Sequence, residues 1–573
     1  MAFVATAAHA QFIIDGRSVP YDTITHTWLA TVPQYYFSQD KVLTVELADG
    51  WIDASIEGST LGTITFPQLS STSRYHAIAR RNITSDTSQH QIGVDASQHQ
   101  TITNQENVIE GDIMFTFLPV IQLIGQFGYD YEEGTFIYSH PDSLHTDTLS
   151  AKIKWRGGIT NAEDKHKRNY KVKFPEDHRF LGLRNDNNWM LDAGQPDVFR
   201  MRNRIAMDLW NKMAHRPYYS TEKPNARNGV RGDIVEVFLN GEYQGIYNFS
   251  EFMDRKQLKL NKVDEETGEI HGCLYKGVSF DKTQMFNIFD TYDNTSETFY
   301  GYEIKYPDLE DSDTVDWEPL VVANNFARTS TDEEFQQHIH EYFDIPVLID
   351  YNIFFNVVNS VDNTGKNMYW AIYDKATTHR LTPTPWDLDA TFGQRWGGIL
   401  LAEIEEGRYN SPEFRLDFEL MLTYRMFRDN FNDYVGQMNE RYKQLRLPGQ
   451  PLHTDSIIAI VDRYYQAVKR SGAATREEAK WSGDSDVWGD VINFDTEYAY
   501  ICDWIHRRME FIDKTELPLF YKKSYFDMLS VNNPTIGFTN KDNVYTMSGQ
   551  CINNLKRLPS GIYIKNGKKF IVK

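Results

Sequence analysis

The sequence predicts an α+β protein with three parts: a small β-sandwich over residues 11–108, a large mixed domain over residues 109–515 and a small β module over residues 516–573. Short alternating runs between turn residues predict the sandwich. Strand patterns that give way to long helical periodicities predict the mixed domain. Two strand patterns around Asn566-Gly567 predict the last module.

Length, composition and charge exclude several classes of protein. The chain has 573 residues, of which 41% are hydrophobic and 14% aromatic, and this supports packed cores rather than disorder. Its net charge of −21 argues against a nucleic-acid partner, because phosphate backbones need a basic face. The same charge is compatible with a site for divalent cations. No apolar run is long enough to predict a transmembrane segment.

The three cysteines are too few and too scattered for a disulfide scaffold or a zinc site, so we expect structural or incidental roles. They are Cys273, Cys502 and Cys551. Residues 1–10 resemble the end of a secretory signal peptide, because apolar residues lead to Ala8-His9-Ala10, a cleavage site of the A-x-A type. We therefore expect an exported protein in the periplasm, at the cell surface or outside the cell. A frayed N-terminus is the alternative.

The sandwich is predicted from alternating runs at residues 42–47 and 62–66, with turn signals such as Asp49-Gly50 between such runs. No catalytic constellation occurs there. The polar, Gln-rich segment 88–107 is typical of a linker.

Two hairpins are predicted at the start of the mixed domain. One has alternating runs on either side of the polar loop 159–169, and the other turns at Asn240-Gly241. Between them, Asp197 is a good N-cap for a helix with apolar residues at helical spacing.

The rest of the domain has mainly helical patterns. Polar, acidic residues from 262 to 345 predict an insertion of loops and short helices. An apolar helix begins at Pro346 and carries no charge after Asp350, which suits a buried helix. Further helices are predicted over residues 413–447, 455–470 and 497–514.

A constellation of acids and amides follows the apolar helix. Asp362 and Asn367 lie in one loop, and a predicted hairpin separates this loop from Asp387. Because the hairpin folds back, we expect Asp387 to return beside the loop, so that three oxygen ligands converge. Hard oxygen donors suit Mg²⁺, which keeps coordination places for substrate phosphates.

Protein kinases use the same order of residues. Their catalytic-loop Asp is followed by a metal-binding Asn after four residues, and a metal-binding Asp follows a later hairpin. An Asp-x4-Asn pair recurs by chance, but the hairpin and the second acid of Asp387-Leu388-Asp389 make the pattern more specific. The alternative, in which Asp362 and Asp387 only cap turns, stays open on spacing alone.

Several segments resemble the CotH (spore coat protein H) kinase family in order and spacing. They are residues 154–157, 168–174, 235–247, 362–369 and 385–393. The last segment, Pro385-Trp386-Asp387-Leu388-Asp389-Ala390-Thr391-Phe392-Gly393, is the most specific. Residues 504–513 are similar to the closing helix of the family, so the resemblance covers about residues 113–515.

The resemblance implies an atypical, two-lobed protein-kinase-like domain. It implies that the domain binds ATP with Mg²⁺, or Mn²⁺ in its place, and phosphorylates Ser of a protein substrate. Asp362 would orient or deprotonate the acceptor hydroxyl. Asn367 and Asp387 would hold the metal, with Asp389 as a further carboxylate.

The resemblance also implies a nucleotide-binding set. The loop Arg156-Gly157-Gly158 would cover the phosphates, and either Lys171 or Lys167 would contact them. Glu251 would lie near the hinge that binds adenine, and Trp386 would contact the cofactor.

Two departures from the family pattern keep other functions open. The glycine loop continues with Ile159-Thr160 rather than with Asn or Ser, and the helix after Asp197 has Asp208 as its only interior acid, so an ordinary Lys–Glu clamp is not predicted. A weak or inactive kinase-like surface protein for adhesion is therefore one alternative. A hydrolase that uses the same carboxylates to activate metal-bound water is another.

The C-terminal module resembles the sorting domain of type IX secretion. Its strand patterns are residues 544–550 and 558–573. The resemblance implies passage across the outer membrane by a secretion machinery and attachment to the cell surface. A β-domain without this role is the alternative.

Overall fold

The computed structural model describes residues 11–83, 105–279, 283, 288–360, 362–363, 365–394, 421–487 and 489–515, together with four short strands beyond residue 543. The expected signal-peptide remnant and most of the predicted linker lie outside these residues. The chain divides into two compact units, Met1–Leu519 and Phe520–Lys573.

The first unit begins with two sheets, in the orders β2-β1-β5-β8 and β3-β4-β10-β9-β6-β7. Aromatic side chains from both sheets, such as Phe12, Trp28 and Phe115, are fully buried in one core, as the alternating pattern predicts. The last strand runs past the expected boundary at residue 108. The strands are β1 (Phe12–Ile14), β2 (Arg17–Val19), β3 (Tyr21–Asp22), β4 (Thr27–Thr31), β5 (Lys41–Leu47), β6 (Asp53–Ile56), β7 (Ser59–Thr60), β8 (Gly62–Phe66), β9 (Tyr75–Ile83) and β10 (Gln105–Thr116).

Seven strands then form a closed barrel in the order β11-β12-β13-β14-β15-β17-β16. They are β11 (Val120–Ile124), β12 (Glu132–Ser139), β13 (Thr146–Arg156), β14 (Asn169–His178), β15 (Asp186–Asp192), β16 (Gly232–Leu239) and β17 (Glu242–Ser250). Both predicted hairpins are confirmed. At the second turn, Asn240 and Gly241 have φ angles of 50° and 79°, as a two-residue turn with positive φ at both positions requires.

Strand alternation decides which barrel residues are available to a site. Tyr170 and Val172 of β14 lie in the apolar core of the barrel, so Lys171 between them points to the opposite face. Lys171 pairs in register with Lys154 of β13, two residues before Arg156. The outer face of the barrel therefore carries Lys171 and, by the same alternation after Ile153 of β13, Arg156.

A five-stranded sheet of the unit has the order β19-β20-β18-β21-β22. Its strands are β18 (Cys273–Gly277), β19 (Thr298–Phe299), β20 (Tyr302–Tyr306), β21 (Met368–Ile372) and β22 (Leu381–Pro385). The prediction of loops and short helices over residues 262–345 is confirmed for the helices Glu318–Thr329 and Asp332–Tyr342. The prediction that the segment is an insertion was wrong, because β18 is the middle strand of this sheet and β20 pairs with it. A five-residue strand between polar loops has too short a pattern to stand out.

Ten α-helices lie within the described residues. They are α1 (Arg202–Met213), α2 (Arg255–Leu258), α3 (Glu318–Thr329), α4 (Asp332–Tyr342), α5 (Ile345–Val358), α6 (Met421–Arg428), α7 (Tyr434–Arg446), α8 (Thr454–Arg470), α9 (Ala473–Trp481) and α10 (Phe494–Thr515). The buried helix from Pro346 is confirmed as α5. None of the described helices has the length and apolar character that a membrane crossing requires.

The first helix begins later than the sequence predicts. Asp197 is not its N-cap, because α1 starts at Arg202. The carboxylate of Asp197 accepts a hydrogen bond from the Arg202 backbone N–H at 2.8 Å and pairs with the Arg202 guanidinium at 2.6 Å. Asp197 thus accepts from a backbone N–H group at the start of the helix, although it lies in a preceding turn. Sequence spacing does not reveal this connection.

The second unit contains a four-stranded sheet in the order β24-β23-β25-β26. Its strands are β23 (Val544–Thr546), β24 (Cys551–Ile552), β25 (Gly561–Lys565) and β26 (Lys568–Val572). The antiparallel pairs β23–β24 and β25–β26 agree with the two predicted hairpins. The turn at residues 566–567 lies outside the described residues.

Candidate active site

Two loops meet at the end of α5, as predicted. The side-chain amide of Asn363 donates to the carbonyl oxygens of Asn367 and Trp386, at 3.0 Å and 2.5 Å. The backbone N–H of Trp386 also donates to the carbonyl of Asn367 at 3.0 Å. Asn363 is buried, so these bonds hold the start of the Asp387 segment against the Asn367 loop.

The predicted catalytic acid contacts the predicted metal ligand directly. The Asp362 Oδ2 atom accepts from the Asn367 Nδ2 atom at 2.9 Å and from the Lys366 ammonium at 2.7 Å. Asn367 has a left-handed φ of 56°, which asparagine tolerates better than most residues. With its amide nitrogen engaged, the side-chain oxygen of Asn367 is the atom that can bind a cation.

Several carboxylates converge beyond these loops. Burial, together with the charges of Asp387, Asp192, Asp197 and Asp362, raises the pKa of Asp389 well above its usual range. Burial and, to a smaller extent, the charge of Asp387 also raise the pKa of Asp192. The hydrogen bond from the Gly194 N–H group and the charge of Arg156 oppose that shift. Mutual repulsion of this kind is relieved when a cation binds.

The donor set fits Mg²⁺ because it consists of hard oxygen atoms, from Asn367, Asp387 and Asp389. Among the described residues, three ligand atoms of His, Cys, Asp or Glu lie within 4.8 Å of one another at His166, Asp484 and Asp486, and not among the acids of this site. A cation here would therefore also need ligands other than these acids, such as the Asn367 oxygen, phosphates and water.

Cations face these acids from the barrel. The Arg156 guanidinium lies 5.7 Å from the Trp386 ring centroid, and the Lys171 ammonium lies 5.0 Å from the Phe252 ring centroid. Burial and the neighbouring cations Lys154, Lys173, Arg156 and Lys305 lower the pKa of Lys171. No acid among the described residues forms an ion pair with Lys171. The charge of Arg156 also acts on Asp192, so basic groups of the outer barrel face and acidic groups of the site share one region, which we call the cleft.

The glycine loop leaves β13 directly beside Arg156. Gly157 has a φ of 116°, and a Cβ atom at this position would lie 2.5 Å from the Thr160 hydroxyl oxygen, so this position requires glycine. Gly158 is exposed. The loop's role as a cover for phosphates stays a prediction.

Two of the predicted nucleotide-binding residues are bonded within the protein. Lys167 is fully buried, and its ammonium donates to Glu477 at 2.7 Å and to the Ile246 carbonyl at 2.8 Å. Glu251 is also fully buried and accepts from Arg231 at 2.6 Å. Of the two lysines that the sequence left open, Lys167 is bonded within the protein, and Lys171 has no ion-pair partner among the described residues.

Sequence reasoning missed Asn203 and Asp192. The Asn203 amide nitrogen donates to Asp192 Oδ2 at 2.7 Å, and its oxygen accepts from the Leu388 N–H at 3.1 Å. Asn203 therefore joins the end of a barrel strand to the segment between Asp387 and Asp389. No spacing within the sequence connects these three regions.

A comparison with protein families identifies the family of this chain. The model of the family described as CotH kinase protein matches residues 153–512, more than half of the chain. The chain belongs to the CotH kinase family. The inner spore coat protein H of Bacillus subtilis (strain 168) is 21% identical over 366 residues, which cover 64% of this chain and 86% of that protein. The resemblance to CotH is thus confirmed.

Proposed function

We propose that this protein is an exported atypical protein kinase that transfers the γ-phosphate of ATP to Ser of a protein substrate. The observation that carries the proposal is the junction made by Asn363, which holds the Asn367 loop against the segment that leads to Asp387. Membership of the CotH kinase family supports the same activity. The barrel and the five-stranded sheet with its helices would be the two lobes.

In this proposal, Asn367 and Asp387 hold Mg²⁺, with Asp389 as a further carboxylate. The bound cation supplies neutralisation of phosphate charge. Arg156 and Lys171 bind the phosphates from the barrel side and withdraw charge from the transferring group. The convergence of the Asp389 and Asp192 carboxylates favours cation binding at this place.

Asp362 would position the acceptor. The serine Oγ atom attacks the γ-phosphorus, the bond from that phosphorus to the β–γ bridging oxygen breaks, and ADP leaves with the electron pair. Asp362 accepts the hydroxyl proton. Its hydrogen bond to Asn367 fixes the carboxylate beside the metal ligand, so catalysis arises mainly from positioning and charge stabilisation.

We also propose a location at the cell envelope. The relative from Bacillus subtilis is named as a spore coat protein, and a surface location would suit the signal-like residues 1–10 and the sorting-domain resemblance of the last unit. The outer-membrane secretion machinery would then be a partner of that unit. Fractionation of cells that express the chain with and without residues 520–573 tests this, with retention inside the cell expected for the truncated form.

A kinase-like surface protein without phosphotransfer is the second candidate. It is favoured by the buried ion pair between Lys167 and Glu477. The lysine of this pair is not Lys171, to which the kinase proposal assigns the phosphates. Labelled ATP with Mg²⁺ or Mn²⁺ separates the candidates, because a kinase labels protein, a binding protein labels nothing and a hydrolase releases free phosphate.

Two substitutions test the assignment of roles. We expect Asp387→Ala to abolish Mg²⁺-dependent ATP binding in calorimetry. Asp362→Ala should retain binding and lose about 10²–10⁴-fold in transfer rate, the usual contribution of a positioned proton acceptor. Asp455→Ala, at a side chain that is 82% exposed, is the matched control. Wild-type binding and turnover in both site variants would overturn the proposal.

A further inference from the structure

A lysine that the proposed chemistry has not used lies at the junction between the five-stranded sheet and the Asn367 loop. Lys276 is on β18, in register with Tyr369 of β21 and Glu303 of β20. The next residue, Gly277, accepts a hydrogen bond at its carbonyl from the Asn367 N–H at 2.9 Å. Lys276 is therefore fixed to the backbone that presents the predicted metal ligand.

Strand β18 and the Asn367 loop approach each other so closely at this junction that position 277 accepts only glycine. A Cβ atom on Gly277 would lie 2.0 Å from the Gly365 carbonyl oxygen. Since backbone cannot move away cheaply on a paired strand, β18 and the loop are packed directly against each other. The position of Lys276 relative to Asn367 is consequently set by main chain and not by a flexible side chain.

The charge environment of Lys276 lacks a protein counter-ion. Burial lowers the pKa of the Lys276 ammonium, Asp387 opposes this shift, and Arg156 and Lys305 add to it. Among the residues that the structure describes, none forms a hydrogen bond or ion pair with the ammonium, whereas Lys305 pairs with Glu303 at 2.6 Å. A largely enclosed ammonium without a partner costs free energy, which an anionic ligand would recover.

Cations of the barrel and of this sheet act on one another electrostatically. The charges of Arg156 and Lys305 lower the pKa of both Lys171 and Lys276, and the charge of Asp387 opposes this shift at Lys276. Arg156 and Lys171 belong to the barrel, while Lys276 belongs to the sheet that carries the metal loops. A polyphosphate with a divalent cation matches this alternation of three positive groups and clustered acids.

We infer that Lys276 binds the terminal phosphates of the nucleotide from the sheet side of the cleft, opposite Arg156 and Lys171. This inference rests on the proposed function and adds a substrate-contacting residue to it. Because Lys276 shares its backbone with the Asn367 junction, it fixes the terminal phosphates relative to Asp387. The site should therefore prefer ligands with β- and γ-phosphates over AMP.

The test compares Lys276→Met with Lys262→Met in the full chain. Methionine keeps the apolar stem and removes the charge, and Lys262 is an exposed lysine whose charge does not contribute to the pKa shifts of Lys171 and Lys276. Calorimetry with Mg²⁺ should show affinity for ATP and for inorganic triphosphate about ten- to hundredfold lower in Lys276→Met, with AMP affinity unchanged. Lys262→Met should stay within about twofold of wild type.

The possible results distinguish a failure of the role of Lys276 from a failure of the kinase proposal. Wild-type ATP affinity in Lys276→Met would overturn the role of Lys276 and leave the kinase proposal in place. Loss of triphosphate binding in the variant, with no ATP binding by the wild type, would support the phosphate contact and overturn the kinase proposal. Absence of both ligands from the wild-type protein would overturn both.

The melting temperature distinguishes a binding role of Lys276 from a role in supporting the fold. Removal of an unpartnered, enclosed charge should leave the unligated melting temperature unchanged or raise it. A melting temperature clearly below that of the wild type, together with weak ATP binding, would show that Lys276 supports the fold and would overturn the inference. Lys276→Arg should restore part of the triphosphate affinity, because it restores the charge.

Discussion

Two groups of cations on or near the barrel differ in their partners. In the buried ion cluster, formed by Lys167, Arg200 and Glu477, one carboxylate accepts from both cations at 2.7 Å. The cleft cations Arg156, Lys171 and Lys276 have no acid in an ion pair with them among the described residues. The first group is complete within the protein, whereas the second group has no ion-pair partner among the described residues. In our proposal, the first group therefore serves stability and the second binds the phosphates of the nucleotide.

The ion cluster also explains a local backbone requirement. The second carboxylate oxygen of Glu477 accepts from the Ile246 N–H at 2.7 Å. Gly245, just before it, has a φ of 95°, and a Cβ atom there would lie 1.9 Å from that oxygen. Strand β17 therefore needs glycine at this position so that helix α9 can approach it.

The largest expected effect comes from breaking the ion cluster. Glu477→Gln keeps the shape of the side chain but leaves two buried cations without a counter-charge. We expect a loss of about 3–5 kcal/mol in the free energy of unfolding, measured by chemical denaturation. Glu440→Gln, at an exposed position, should change it by less than about 0.5 kcal/mol. An equal, small effect at both positions would remove the distinction between the two groups.

Substitution of a cleft cation is expected to weaken ligand binding and not stability. Lys171→Met should leave the free energy of unfolding without ligand unchanged or raise it, because the ammonium has no ion-pair partner to lose. Its affinity for Mg²⁺-ATP should fall about tenfold or more, the value of one charged contact. Denaturation and calorimetry on one preparation check both halves. Lower stability with unchanged ATP affinity would reverse the assignment.

The smallest effect should come from the exposed pair next to the ion cluster. The hydrogen bond and charge of Asp484 raise the pKa of His166 above its ordinary value of 6.5. The pair's contribution to stability is therefore complete below about pH 6.5 and is lost as the pH rises through the folded-state pKa. Because the His166 side chain is 56% exposed, we expect about 0.5 kcal/mol.

The pH dependence of unfolding checks this contribution. Between pH 5.5 and 8.5, His166→Ala should show a smaller decline in the free energy of unfolding than the wild type. Identical slopes for the two proteins would show that the pair contributes nothing.

Sequence reasoning worked best where the pattern was local. The turn at Asn240-Gly241 and the helix from Pro346 follow from spacing that one element contains. The return of Asp387 beside Asn367 was also predicted, because a hairpin brings its two ends together. Recognition of the segment around Trp386 then gave the family.

The misses involve contacts between distant elements. Lys276 was overlooked because the polar residues around β18 conceal a short strand in the middle of a sheet. The partner of Lys167 could not be predicted, since Glu477 lies on a helix hundreds of positions away, and the two meet only through tertiary packing. Asn203 bridges two loops for the same reason. These relationships depend on the fold and not on spacing.

The most direct test of the central claim is a crystal structure of the protein with Mn²⁺ and a non-hydrolysable ATP analogue, with the metal located by its anomalous scattering. The account predicts a Mn²⁺ peak at the oxygens of Asn367 and Asp387, and phosphates against Arg156, Lys171 and Lys276. A metal bound instead at His166, Asp484 and Asp486, with no nucleotide in the cleft, would contradict it.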